Sequence, residues 1–235
     1  MDLATRFTAA LIDTHLVDDP HDCLPDHLSR AAAAALRVDG IGVCLTGEEP
    51  TPLGPSGNMP TVAEGVQFTL GPGPCTAAVH TQSPQLAGES HLQQRWPVYH
   101  DLLRTQTPYR SVAAFPMSQG LTGIGALAIY STDPTCPLTL DTSKTRAIVG
   151  LVSALLTSAA EASDHQPNLQ RWLDTPTARV RATTWQAVGM VMYSFRAAPA
   201  DALDVLRARA YSTGRLVDDV ARDVLSGQLP VAELA

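Results

Sequence analysis

Lysine is almost missing from this chain: Lys144 is the only one among 235 residues, and arginine carries the rest of the positive charge. With 16 basic against 23 acidic residues the formal charge is −7. That balance excludes a generally basic nucleic-acid coat, so any nucleic-acid surface has to be local. Aromatic residues are scarce too, at 5%. No stretch approaches the roughly 18 uninterrupted apolar residues of a spanning helix, and no membrane partner is expected. Asp2 stands where a signal peptide wants basic residues, so the expected location is cytoplasmic. Four cysteines (Cys23, Cys44, Cys75 and Cys136) lie far apart with no C-x-x-C spacing. Reduced thiols fit that pattern better than a disulfide framework or a zinc site, and no metal or cofactor is expected. What the chain does have is apolar mass: 45% hydrophobic residues, enough for one large domain or two smaller ones.

Three parts differ in texture. Residues 1–30 follow a helical period through Leu3, Phe7, Ala10, Leu11 and Thr14, and "CLPDHLSRAAAAALRV" continues it after a break at Asp19-Pro20. From residue 39, four strand-like runs appear: "GIGVCLT", "GVQFTL", "SVAAFPM" and "GIGALAIY". Between the second and third lie a short helical piece after Pro74 and a longer one around "LQQRWPVYHDLLR". This predicts an α+β domain on an antiparallel sheet with flanking helices. "SKTRAIVGLVSALLTSAAEA" is a long amphipathic helix whose Ala147, Gly150, Ala154 and Ala159 suit close helix–helix contact with a second copy, so a homodimer is expected. The boundary falls in "SDHQPNLQRWLDTP": a first domain over 1–163, a linker over 164–174 and a helical domain over 175–235.

In that last domain Thr175 suits a cap and Pro176 a first helical position, the second helix opens at Pro199, and a third ends before Gly227. On the first helix, about 100° per residue puts Val180, Thr184, Ala187, Val188, Val191 and Phe195 on one stripe, the expected core face. Opposite fall Arg179, Ala182, Gln186, Gly189 and Tyr193, with Met190 at the edge. Glycine in a helix costs on the order of 1 kcal/mol relative to alanine, so Gly189 needs a reason. A flat floor with an amide, a ring and a cation can receive RNA: Gln reads a base edge, Tyr stacks, Arg pairs with phosphate. Arg207 and Tyr211, one turn apart on the second helix, and Arg215 before the third add to that surface. Residues 177–229 hold seven Arg and five Asp, a formal +2 in a chain of −7. The competing reading makes Gly189 a point of tight helix packing.

"QAVGMVM" followed by "ADALDVLRARAYSTGRLVDDVARDVL" resembles the ANTAR domain, a three-helix RNA-binding module of bacterial antitermination regulators, over about a quarter of the chain. The carrying residues are Gln186, Ala187, Gly189 and Met190; Asp201, Ala202, Leu206, Arg207 and Ala210; and Arg215, Leu216, Val220 and Ala221. Two departures stand out: Val188 where many members have Lys, and Ala198 at the usual Ser cap of the second helix. "LGPGPCTAAV", "RWPVY", "SVAAFPM" and "GIGALAIYST" resemble, more loosely, a GAF domain of the kind fused to ANTAR in actinobacterial regulators. The resemblance implies binding to tandem stem-loops in nascent RNA, so that a terminator cannot form, under a GAF domain that senses a small molecule or dimerises. A GAF pocket in so aromatic-poor a chain should be small and apolar. The alternative is a protein-interaction or small-molecule-sensing GAF module without RNA binding.

Other constellations carry less. "GPGPC" lacks the Gly-Lys-Ser/Thr of a phosphate loop, and its prolines remove amide donors. Cys75, at a possible helix start, is a candidate thiol sensor. His15, His21, Cys23 and His27 are crowded like metal ligands, but Pro20 and Pro25 break the helix between them. No nucleophile elbow or Ser/His/Asp motif is present, so an enzyme is not expected.

Overall fold

The computed structural model describes residues 2–15, 24–46, 51–161 and 176–234. A helical pair, α1 (Leu3–His15) and α2 (Leu24–Leu36), leads into strands β1 (Gly40–Leu45) and β2 (Thr51–Pro55). Helices α3 (Asn58–Leu70) and α4 (Pro74–Thr81) follow, then β3 (Gln85–Ala87), α5 (Glu89–Arg95), α6 (Pro97–Gln106), β4 (Ser111–Pro116) and β5 (Gly125–Ser131). A single turn, α7 (Cys136–Thr139), precedes the long α8 (Thr142–Glu161). The chain closes with α9 (Pro176–Phe195), α10 (Pro199–Ser212) and α11 (Val217–Ser226). The strands form one antiparallel sheet in the order β2-β1-β5-β4-β3. The α+β expectation holds.

Both faces of the sheet are covered, so its central strands are apolar throughout, and alternation sorts their side chains into two cores. Ile41 lies opposite Ile129 and Val43 opposite Leu127, with Ala113 and Phe115 beside them on β4. These join Phe7, Leu28, Ala32, Ile148 and Val152 under α1, α2 and α8. The other face is built of small residues: Gly42 opposite Ala128, Cys44 opposite Ala126, and Ala114 opposite Ala128. Against this floor lie α3, α4 and α6, with Val66, Ala78, Tyr99 and Leu103. The floor has to be low there, since a Cβ on Gly42 would run into the Glu64 carboxylate of α3.

One expectation is corrected, and two strands are added. "GVQFTL" is the second half of α3, not a strand. Val66 points into the sheet core while Phe68 points into the C-terminal bundle, so this helix is buried on two sides and its 3.6-residue period is masked. β2 and β3 lack a strand-like pattern, β2 because it holds Pro52 and Pro55 and β3 because it has only three residues. The cap at Thr175, the linker over 164–174, and His21 and Cys23 lie outside the described residues, as does the side chain of His15.

Asp39, just before β1, ties that strand to the end of β5. Its Oδ2 accepts bonds from the Thr132 amide (2.6 Å), the Thr132 hydroxyl (2.8 Å) and the Ser131 hydroxyl (2.9 Å). These bonds, the Thr132 amide foremost, hold its carboxyl below the usual carboxylate range. A lowered acid stabilises the fold above its unfolded value and loses that contribution as pH falls through its folded value. Asp39→Asn is therefore expected to lower Tm at neutral pH, and the gap to the parent should close as pH drops from about 5 to below about 3. Thermal melts of both proteins across that range check it.

Candidate functional site

The outer face of α9 is open. Arg179, Ala182, Gln186, Gly189 and Met190 are exposed, and Tyr193 is 90% exposed. Among the described residues a Cβ added at Gly189 meets nothing within 4 Å, so the glycine serves no helix crossing there. Its inner face carries Thr184, Ala187, Val188 and Val191, which pack with Leu203, Leu206 and Ala210 of α10 and Val217, Val220, Ala221 and Val224 of α11. Val180 and Phe195 are 39% and 38% exposed and stand off the core. Arg181, one residue round, is buried instead at 4%. Pro199, at the start of α10, is also exposed. Val188, noted above as a departure from the resembled pattern, is buried in the bundle core and faces away from the outer surface.

Tyr211 is 58% exposed and Arg215 half-buried, at a second spot around the α10–α11 turn. Arg215 pairs with Asp223 at 2.7 Å, and that bond raises its already high pKa. Arg222 likewise pairs with Asp219. Arg207 is not on an open surface. Its Nε and Nη2 donate to the Phe68 carbonyl at 3.1 and 3.0 Å, and Nη1 pairs with Asp204 at 3.2 Å. Docked this way, Arg207 caps the C-terminal end of α3, where unsatisfied carbonyls welcome a cation.

Sequence reasoning missed the joint around that arginine. The Phe68 ring projects from α3 into the core of the bundle, 5% exposed. The Arg181 guanidinium carbon lies 3.2 Å from its centroid and that of Arg207 5.3 Å away, while Trp185 meets its edge at 6.3 Å. Arg181 Nη1 stands 3.4 Å from Asp218 Oδ1, an ion pair too long for a good hydrogen bond, and the same oxygen accepts a 2.6 Å bond from Thr184. Burial pulls Arg181 below its ordinary pKa, and the charges of Asp218 and Glu64 oppose that fall. Thr69 accepts from the Val217 amide at 3.0 Å, Leu216 packs over Gly65, and Gln106 donates to the Gly214 carbonyl. No local signal links Phe68 to Arg181, more than a hundred positions on.

Two hollows lie nearby. An open depression of about 980 Å³ runs along Gly71, Pro72 and Gly73 to Trp96 and Thr122. The Gly-Pro turn above it is filled by Gln67, whose amide donates to the Gly71 carbonyl at 2.7 Å and whose Oε1 accepts from the Cys75 amide. The second, of about 150 Å³, is lined by Cys44, Glu64, Gln67, Thr76, Arg181 and Arg207. It is small and mostly apolar, as expected, with Leu45, Pro52 and Phe68 also in its lining. Cys75 sits in the first turn of α4 as expected and is fully buried. His27 is buried in α2, with Arg30 Nη2 3.3 Å from its Nδ1.

No family model and no curated protein matches the sequence. Solved structures similar to it include the GAF domain of a phosphoenolpyruvate-protein phosphotransferase from Coxiella burnetii, 13% identical over 69% of this chain and 96% of its own, with a TM-score of 0.47. A GAF domain from the Acinetobacter phosphoenolpyruvate-protein phosphotransferase is 14% identical over 70% and 99%, TM-score 0.46. Free methionine-R-sulfoxide reductase from Neisseria meningitidis, solved with its substrate, is 17% identical over 69% and 93%, TM-score 0.42. Among the described residues no helix is long and apolar enough to cross a membrane.

Removing the Phe68 ring leaves a void in the bundle core and strips Arg181 of its ring contact. Phe68→Ala is expected to cost about 3–5 kcal/mol and to split a single calorimetric transition into two, the bundle melting first. One unsplit transition at the parental temperature would contradict this joint.

Proposed function

We propose that this chain is an RNA-binding antitermination regulator of the GAF-ANTAR kind, acting in the cytoplasm as a homodimer. The observation that carries the reading is the open floor at Gly189, flanked by Gln186, Met190 and Tyr193 on the solvent side of a helix whose other face packs through Thr184, Ala187, Val188 and Val191. A helix that spends a glycine there, with no neighbour to accommodate, gains room for something outside the chain. The order and spacing of the ANTAR-like residues support stem-loop RNA as that partner, with Tyr193 stacking on a base, Gln186 reading an edge and Arg179 at a phosphate. Tyr211 and Arg215 form a second contact. Arg207 serves chiefly to hold the bundle on α3.

RNA recovered with the purified full chain from its native host, once sequenced, supplies the probe. Gly189→Leu should bind that RNA at least about tenfold more weakly while melting at or slightly above the parental temperature, because Leu is the better helix former. Tyr193→Ala should cost on the order of 1–3 kcal/mol of binding, and Arg179→Ala should flatten the salt dependence. Recovery of no RNA, or Gly189→Leu binding with parental affinity, returns the alternative of a sensing or interaction module without RNA.

Dimerisation is supported by α8. Ala147, Leu151 and Leu155 are exposed in one row, and Gly150 beside them has nothing within 4 Å of an added Cβ. On α1, which packs against the same helix, Ile12 is 59% exposed. A second copy laid along this row closes a four-helix contact. Light scattering at tens of micromolar should give twice the 24.9 kDa chain mass, and Leu151→Glu should return it to a monomer. A parental protein that is monomeric there contradicts the proposal.

A further inference from the structure

Three groups with metal-binding atoms converge on the small-residue face of the sheet, each from a different element: Cys44 of β1, Glu64 of α3 and Cys75 of α4. Their ligand atoms all lie within 4.8 Å of one another, and all three residues are buried. Placement is enforced on every side. Gly42 lets Glu64 lie against the sheet, the Tyr130 hydroxyl donates to Glu64 Oε1 at 2.6 Å, and the Gln67 side chain fixes the amide of Cys75. The Cys44 thiol reaches both Cys75 and Glu64. The hydroxyl of Tyr99, buried without a hydrogen-bond partner among the described residues, lies in electrostatic range of all three. Such a group of donors, set in a core of Ala, Val, Leu and three tyrosines, needs a reason to be there.

We propose that Cys44, Glu64 and Cys75 form a binding site for a thiophilic divalent cation of the zinc class. Around a tetrahedral zinc, with Zn–S near 2.3 Å and Zn–O near 2.1 Å, donor atoms stand roughly 3.5–3.8 Å apart. A contraction of about 1 Å or less closes the present cluster to that geometry. Two sulfurs and one carboxylate oxygen leave a fourth position, and the 150 Å³ cavity beside Cys44 and Glu64 gives it room for a water or a small anion. Binding exchanges the two thiol protons, and any proton on Glu64, for the cation, and those protons leave to solvent. The cation would join β1, α3 and α4, with Phe68 one helical turn beyond Glu64, so its binding bears on the joint that holds the bundle. It goes beyond the RNA-binding reading and is measured without RNA.

The test uses the full chain, reduced and stripped of metal with a chelator, then titrated with cobalt(II) and with zinc(II) against a chromophoric chelator. The expected result is one equivalent bound per chain, a thiolate-to-cobalt charge-transfer band, and a rise in Tm with metal concentration. Cys75→Ser and Cys44→Ser should bind at least about tenfold more weakly and lose part of the band. Glu64→Gln should weaken binding while keeping the thiolate band. It decides the matter if either cysteine variant fails to fold. Cys136→Ser, outside the cluster, should bind like the parent. No stoichiometric uptake by the folded reduced chain overturns the proposal. So does uptake unchanged in both Cys75→Ser and Glu64→Gln, or a Cys44–Cys75 disulfide in a chain that takes up no metal when reduced.

Discussion

The Phe68 ring, held in the C-terminal bundle with the Arg181 guanidinium over it and that of Arg207 close by, is the contact on which the rest of the arrangement depends. A cation over an aromatic face is worth roughly 0.5–2 kcal/mol, more when desolvated, and Arg181 is almost wholly desolvated. Burying that arginine is costly unless it is paired. Asp218 supplies the charge, and the ring covers the guanidinium face that no hydrogen bond satisfies. Removing either partner leaves the other stranded. The joint thus fixes which side of the bundle meets the sheet domain, and by exclusion which side of α9 is left to solvent.

Helix α3 is where the two halves meet. Val66 packs into the sheet core, Phe68 and Thr69 engage the bundle, and Glu64 stands between them, near the charge of Arg181. Burial raises the Glu64 carboxyl above the usual range, which the Tyr130 hydroxyl and Arg181 partly offset. A change of charge at Glu64 is therefore felt by Arg181 and, through it, by Phe68. This gives the sheet domain a short physical route to the bundle: one turn of helix and the electrostatic reach from Glu64 to Arg181.

Much of this was legible beforehand, and the failures have physical causes. Strands β1, β4 and β5 were readable because both faces of a covered sheet demand apolar residues in sequence. The outer face of α9 was readable because helical geometry alone separates Gln186, Gly189 and Tyr193 from Val188 and Val191. The stripe fails at its ends, where it places Val180 and Phe195 inside, and it leaves out the buried Arg181. Hydrophobicity sorts side chains by their own preference, and a buried arginine is there because of Asp218 and Phe68, far away in the chain. The second half of α3 was misread for a related reason: a helix buried on two sides loses the polar face that marks its period. The convergence of Cys44, Glu64 and Cys75 depends on sheet register and helix placement, which spacing alone does not encode.

The central claim is that the solvent face of α9 receives RNA while its inner face stays packed. Ultraviolet cross-linking of the full chain to its recovered RNA, with the adducts mapped by mass spectrometry, tests it most directly. The account predicts adducts on α9, on Tyr193 or Met190, with a second cluster at Tyr211, and none on Phe68 or Trp185. Adducts confined to the sheet domain, or on the inner residues of the bundle, would contradict it.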